Sequence, residues 1–83
     1  MTELALYTKP GCHLCHEALV LLSRLQQEFP FTIREVDITQ DQRLLEDYSD
    51  LIPVVEQNGK PLLAAPFGEA TARKALAQLF KAS

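Results

Sequence analysis

At Leu4-Ala5-Leu6-Tyr7-Thr8-Lys9-Pro10-Gly11-Cys12-His13-Leu14-Cys15 the chain changes its hydrophobic period. Glu3 to Tyr7 alternates as a strand, and Pro10-Gly11 is the turn that ends it. From Cys15 onward Ala18, Leu19, Leu22, Leu25 and Phe29 recur at helical spacing, until Pro30 closes a helix of about four turns. Cys12 and Cys15 therefore sit where a strand hands over to a helix. That placement brings two sulfurs within bridging range and sets the first near the positive end of a helix macrodipole. A thiolate is the attacking species in disulfide exchange, and its pKa falls at helix N-termini and in Cys-x-x-Cys loops, so the segment points to redox chemistry.

Further along, Phe31 to Asp37 alternates as a second strand, with Phe31, Ile33 and Glu35 on one face and Thr32, Arg34 and Val36 on the other. Thr39 followed by Gln42 fits a capping box that opens a short helix through Leu44, Leu45 and Tyr48. Pro53-Val54-Val55-Glu56 and Pro61-Leu62-Leu63-Ala64 read as two strands joined by Asn58-Gly59, a dipeptide favoured in tight hairpins. Ala72, Ala75, Leu76, Leu79 and Phe80 mark the apolar face of a last helix that starts near Gly68-Glu69. The order strand, helix, strand, helix, strand, strand, helix predicts an α/β domain, β-α-β-α-β-β-α, with a four-stranded mixed sheet flanked by helices on both faces. In such a sheet chemistry gathers at strand carboxyl ends, and Cys12 follows the first strand at one of them.

Composition bounds the setting. The 83 residues read as one domain, 1–83, and a chain this small buries only about 60% of its unfolded surface. Eight basic against eleven acidic residues give a net charge of −3, with no Lys/Arg cluster among aromatics, which argues against a nucleic-acid partner. Met1-Thr2-Glu3-Leu4 lacks the features of a secretory signal, so a cytoplasmic location is expected. No apolar run approaches the roughly 20 residues that span a bilayer, and no membrane partner is expected. Two cysteines in a reducing compartment suit catalysis or metal binding better than a structural staple.

Tyr7-Thr8-Lys9-Pro10-Gly11-Cys12-His13-Leu14-Cys15, the Ile52-Pro53-Val54 segment and the element order together resemble a glutaredoxin, in particular the short glutaredoxin-like proteins of the thioredoxin-fold superfamily. The resemblance spans essentially the whole chain. It implies a thiol–disulfide oxidoreductase in which Cys12 is the exposed nucleophile and Cys15 the buried resolving thiol. It implies that Pro53 is a cis-proline beside the cysteines and that Ile52 offers its backbone to an extended peptide or to glutathione. Pro53 can equally be the first residue of a strand, where a missing N–H is tolerated. Lys9 corresponds to a lysine that contacts a glutathione carboxylate, or is a solvated loop residue. Tyr7 lines the groove or packs at its rim. The implied partners are a disulfide-containing protein or glutathione as co-substrate. The implied electron donor is glutathione or a thioredoxin-reductase-type enzyme, the protein is expected to act as a monomer, and no metal or other cofactor is expected.

Two departures from the family pattern bear on function. Between the cysteines stand His13 and Leu14 in place of Pro and an aromatic, and a protonated His13 would stabilise the Cys12 thiolate by charge. His16 is expected to point away. Where glutaredoxins carry Gly-Gly and an acid, this chain has Phe67-Gly68-Glu69. Gly68 and Glu69 then either bind glutathione at a helix start or simply begin the helix. Three other functions compete: Cys12-His13-Leu14-Cys15-His16 matches a c-type haem attachment signature, its S and N donors suit a metal or iron–sulfur module, and the dithiol suits a redox-sensing adaptor.

Overall fold

A computed structural model describes residues 2–82; Met1 of the N-terminal tetrapeptide lies outside them. The chain forms β1 (Thr2–Thr8), α1 (His13–Leu25), β2 (Phe31–Asp37), a 3₁₀ turn (Ile38–Gln40), α2 (Gln42–Tyr48), β3 (Val54–Gln57), β4 (Lys60–Ala64) and α3 (Glu69–Ala82). The strands lie in the order β2-β1-β3-β4. Strand β1 runs parallel to β2, with Leu4 opposite Ile33 and Leu6 opposite Glu35, and α1 is the crossover a parallel pair requires. The pairs β1·β3 and β3·β4 are antiparallel.

Side-chain alternation decides what each face of the sheet buries. Leu4 and Leu6 of β1, Phe31 of β2, Val55 of β3 and Leu63 of β4 pack against Ala18, Leu22 and Leu25 of α1 and Ala72 and Leu76 of α3. A fully buried leucine contributes about 1.5–3 kcal/mol, so this layer supplies most of the driving force. Ala5, Tyr7, Val54 and Glu56 face the other way by the same alternation. There Tyr48, at the end of α2, stacks on Tyr7 and bonds Glu56, which gives the sheet a helix on its second face. The expected four-stranded mixed sheet flanked by helices is the observed one. Among the described residues no helix is long and apolar enough to cross a membrane.

The hairpin turn is as the dipeptide predicts, with Asn58 at φ 52° and Gly59 at φ 78°, both left-handed as a type I′ turn requires. Three boundaries differ from expectation. Helix α1 starts at His13 rather than Cys15, because Cys12 serves as its N-cap. It stops at Leu25, where Gln27 and Glu28 donate to the Arg24 and Leu25 carbonyls and tighten the last turn; Phe29 leaves the helix and stacks on Phe80. The cap of α2 is Asp41, not Thr39: its carboxylate accepts the Arg43 and Leu44 N–H groups, while Thr39 lies in the 3₁₀ turn. Glu35 lies on the α1 side of β2 but remains exposed, beyond the reach of the core that covers Phe31 and Ile33.

Candidate functional site

The cysteines are placed by the way the chain leaves β1. Gly11 adopts φ 77°, a left-handed turn that a side chain would strain, and the Cys12 N–H donates to the Lys9 carbonyl at 3.3 Å. This turn sets Cys12 at the N-cap of α1. Its Sγ accepts the Cys15 N–H at 3.2 Å, and its carbonyl accepts the His16 N–H at 3.1 Å. A helix start has N–H groups without helical partners, and here a sulfur takes one of them. Cys12 and Cys15 are joined as a disulfide with their Cα atoms 5.2 Å apart, an ordinary bridging distance. The two ends differ in access: Cys12 is half-buried, whereas Cys15 is 2% exposed under the helix. Dipole and hydrogen bond therefore both favour negative charge on the more accessible sulfur.

Two hollows flank the first turns of α1. One, of about 420 Å³, is lined by both cysteines together with Lys9, His13 and Glu35, and also by His16, which is exposed as expected but borders this hollow rather than pointing away from it. The other, of about 300 Å³, is lined among others by Leu14, Leu21, Pro53, Pro66, Phe67 and Glu69. Of the residues expected to serve the site, Lys9 and His13 thus share the cysteines' hollow, while Pro53, Gly68 and Glu69 line its neighbour. His13 is 85% exposed, and its Nε2 lies 2.8 Å from Glu17, one turn along the helix. The Ile52–Pro53 bond is cis, as is Ala65–Pro66, which the sequence reading did not anticipate. Ile52 lines neither hollow; its N–H donates to the Tyr48 carbonyl at 3.2 Å. Gly68 needs no left-handed backbone, and a Cβ built there meets nothing within 4 Å.

Glu69 is engaged within the chain. Its carboxylate is bound by Arg24 at 2.7 Å and by Arg73 at 3.0 Å, and Arg73 also pairs with Glu28. The Arg73 hydrogen bond and the Arg24 charge hold the Glu69 carboxyl below the usual range. Three residues at or near the site escaped the sequence reading. Glu35 reaches the cysteines' hollow; its place on the α1 face of β2 was legible in the alternation, but its proximity to the cysteines was not. Leu14 stands 56% exposed on the rim of the second hollow. Glu56 is the one buried charged residue among those described, behind the sheet with Tyr48. Tyr7 faces that same side and packs rather than lining either hollow. Among the described residues no three His, Cys, Asp or Glu side chains gather in a group able to hold a metal ion.

Residues 3–77 match the family model described as a glutaredoxin-like domain (DUF836). A search of the curated proteins finds no match. Among solved structures, the fold is similar to that of protein Ne2328 from Nitrosomonas europaea, with TM-score 0.77, 27% identity, and 90% of this chain and 91% of that one covered. It is also similar to protein XcR50 from X. campestris, with TM-score 0.72, 28% identity and 96% and 97% covered. Thioredoxin-2, a component of the malaria parasite protein secretion machinery, shares the fold at TM-score 0.62 and 15% identity, over 98% of this chain and 82% of that one. With the cysteine pair at the strand-to-helix turn, the β2-β1-β3-β4 sheet and a family match over nearly its whole length, the chain belongs to the glutaredoxin-like (DUF836) family of thioredoxin-fold proteins.

Proposed function

We propose that the chain is a thiol–disulfide oxidoreductase that reduces protein disulfides or glutathione mixed disulfides through Cys12 and Cys15. The observation that carries this reading is the asymmetry of the pair: the accessible sulfur of Cys12 accepts a helix N–H at 3.2 Å, while Cys15 is buried beneath it. In the reduced protein the Cys12 thiolate attacks one sulfur of a substrate disulfide, forming a mixed disulfide and expelling the other sulfur as a thiolate that takes a proton from water. Cys15 then gives up its proton, and its sulfur attacks Cys12 Sγ. The internal disulfide forms, and the second substrate thiolate leaves. Two electrons from glutathione, or from a thioredoxin-reductase-type enzyme, restore the dithiol.

The surrounding residues take supporting parts in this reading. Lys9 puts a positive charge on the cysteines' side, with Glu35 in the same hollow and Glu17 beside His13 offsetting it. Beside Pro53, the Ile52 carbonyl, which accepts no hydrogen bond from any described residue, receives a backbone N–H of an extended substrate. Gly68 leaves open space over the start of α3. A cationic group of glutathione would compete with Arg24 and Arg73 for the Glu69 carboxylate.

Cysteine variants test the scheme. Cys12→Ser is expected to abolish turnover, and Cys15→Ser to accumulate a mixed disulfide on Cys12, read by intact-mass spectrometry; an adduct on Cys15 in the wild-type reaction reverses the roles. Reduction of a glutathione mixed disulfide and of a protein disulfide, each driven by glutathione and then by thioredoxin reductase, assigns both ends of the electron path.

A further inference from the structure

We infer that Tyr48 and Glu56 are positioning residues for substrate docking, a clamp behind the sheet that holds the Ile52–Pro53 backbone in register with Cys12; this rests on the reading of Ile52 as the residue that meets an extended substrate.

Tyr48 is tied to three parts of the molecule at once. Its carbonyl accepts the Leu51 N–H at 2.8 Å and the Ile52 N–H at 3.2 Å, so it fixes the loop that leads to Pro53. Its hydroxyl donates to Glu56 Oε2 at 2.5 Å, on the strand that starts immediately after Pro53. Its ring stacks on Tyr7, with centroids 4.4 Å apart and planes 8° from parallel, on the strand that runs out to Lys9 and Cys12. The loop has little packing of its own, since Leu51 is 52% exposed and Ile52 only half-buried. Pro53 beyond it is buried, and its carbonyl accepts the Ala65 N–H at 3.0 Å, so the core holds one end of this stretch and the Tyr48 anchor holds the Leu51–Ile52 end.

The chemistry of the anchor is selective. A carboxylate 7% exposed is costly unless it is hydrogen-bonded, and an apolar side chain at this point of β3 would serve packing alone. What the pair adds is direction. A short charge-assisted bond holds the hydroxyl at one place, and with it the ring and the carbonyl that grips Ile52. The hydroxyl is correspondingly hard to ionise, first because of its bond to Glu56 and then because of burial. The clamp also sets the polarity of recognition: with the Ile52 N–H bound to Tyr48, the Ile52 carbonyl is the group presented, and the complement is an N–H donor beside the substrate cysteine.

The test separates docking from sulfur chemistry. Tyr48→Phe keeps the ring and the carbonyl but removes the hydroxyl. KM and kcat are measured with a peptide disulfide as substrate, alongside the rate of Cys12 alkylation by iodoacetamide in the reduced protein. The expected result is a KM raised about five- to tenfold, with kcat and the alkylation rate near those of the wild type. Glu56→Gln, which keeps an acceptor, is expected to raise KM less. Tyr48→Phe/Glu56→Leu removes both buried polar partners together and so keeps the fold if the single variant loosens it; the raised KM is expected there as well. An unchanged KM in the folded variants, or a parallel fall of kcat and alkylation rate, overturns the clamp while leaving the exchange reaction standing. A wild type that reduces no peptide disulfide overturns the reading of Ile52, and the clamp with it.

Discussion

The Tyr48 hydroxyl carries stability as well as position, and its removal is the sharpest test of how the second face of the sheet is held. Tyr48→Phe takes away the donor to a carboxylate that is 7% exposed. Hydrogen bonds to charged groups contribute about 1.5–3 kcal/mol. An 83-residue domain has a net stability of about 4–12 kcal/mol, so the loss is a large share of the total without abolishing folding. At about 4–8 °C per kcal/mol for a domain of this size, the melting temperature falls by about 6–24 °C. Thermal and urea unfolding of the oxidised protein at pH 7, followed by circular dichroism, measure this directly. A pH series adds a second constraint. The bond to Glu56 raises the Tyr48 pKa in the folded state above its ordinary value of 10.0. The stability it brings is thus fully present below pH 10 and is lost as pH rises toward the folded value. The phenylalanine variant has no phenolic proton to lose, so the gap between it and the wild type narrows above pH 10. A melting temperature within about 2 °C of the wild type, an effect below about 0.5 kcal/mol, refutes the reasoning, as does a gap that stays constant through pH 11.

Two other substitutions probe the active end and the hairpin. Glu17→Gln releases His13 from its partner and removes a negative charge near the start of α1, so Cys12 alkylation at fixed pH is expected to quicken by up to about fivefold, the span of an exposed ion pair; slower alkylation contradicts the charge argument. Gly59→Ala forces a side chain into φ 78° with open space around it, so backbone strain alone lowers stability by about 1–2 kcal/mol; an unchanged urea midpoint argues against that conformation.

What could be seen in advance followed from the range of the signals involved. The β1 alternation, the 3.6-residue period of α1 and α3, and the Asn58-Gly59 pair are local and strong, and they were enough to order the elements and place Cys12 at a helix start. The cap of α2 misled because several polar side chains compete within five residues. Asp37 takes both the Thr39 N–H at 2.9 Å and its hydroxyl at 2.6 Å, which fixes Thr39 inside the 3₁₀ turn rather than at the start of α2, and Asp41 fills the role. At the site, the cysteine pair is local and was legible. The Arg24–Glu69 pair joins residues 45 apart, and Tyr48 meets Glu56 only after α2 and β3 converge on one face of the sheet. Glu35 joins the cysteines' hollow only through the parallel crossover. Contacts made by topology leave no spacing to read.

The strand order leaves β2 and β4 as the two borders of the sheet. Arg34 and Glu35 stand exposed on the first, and Lys60 and Pro61 on the second. A neighbouring molecule extending the ladder at β4 meets a proline with no N–H to give and an adjacent ammonium group to desolvate; at β2 it meets two charges of opposite sign. A sheet of only four strands is in this way discouraged from seeding filaments along either border.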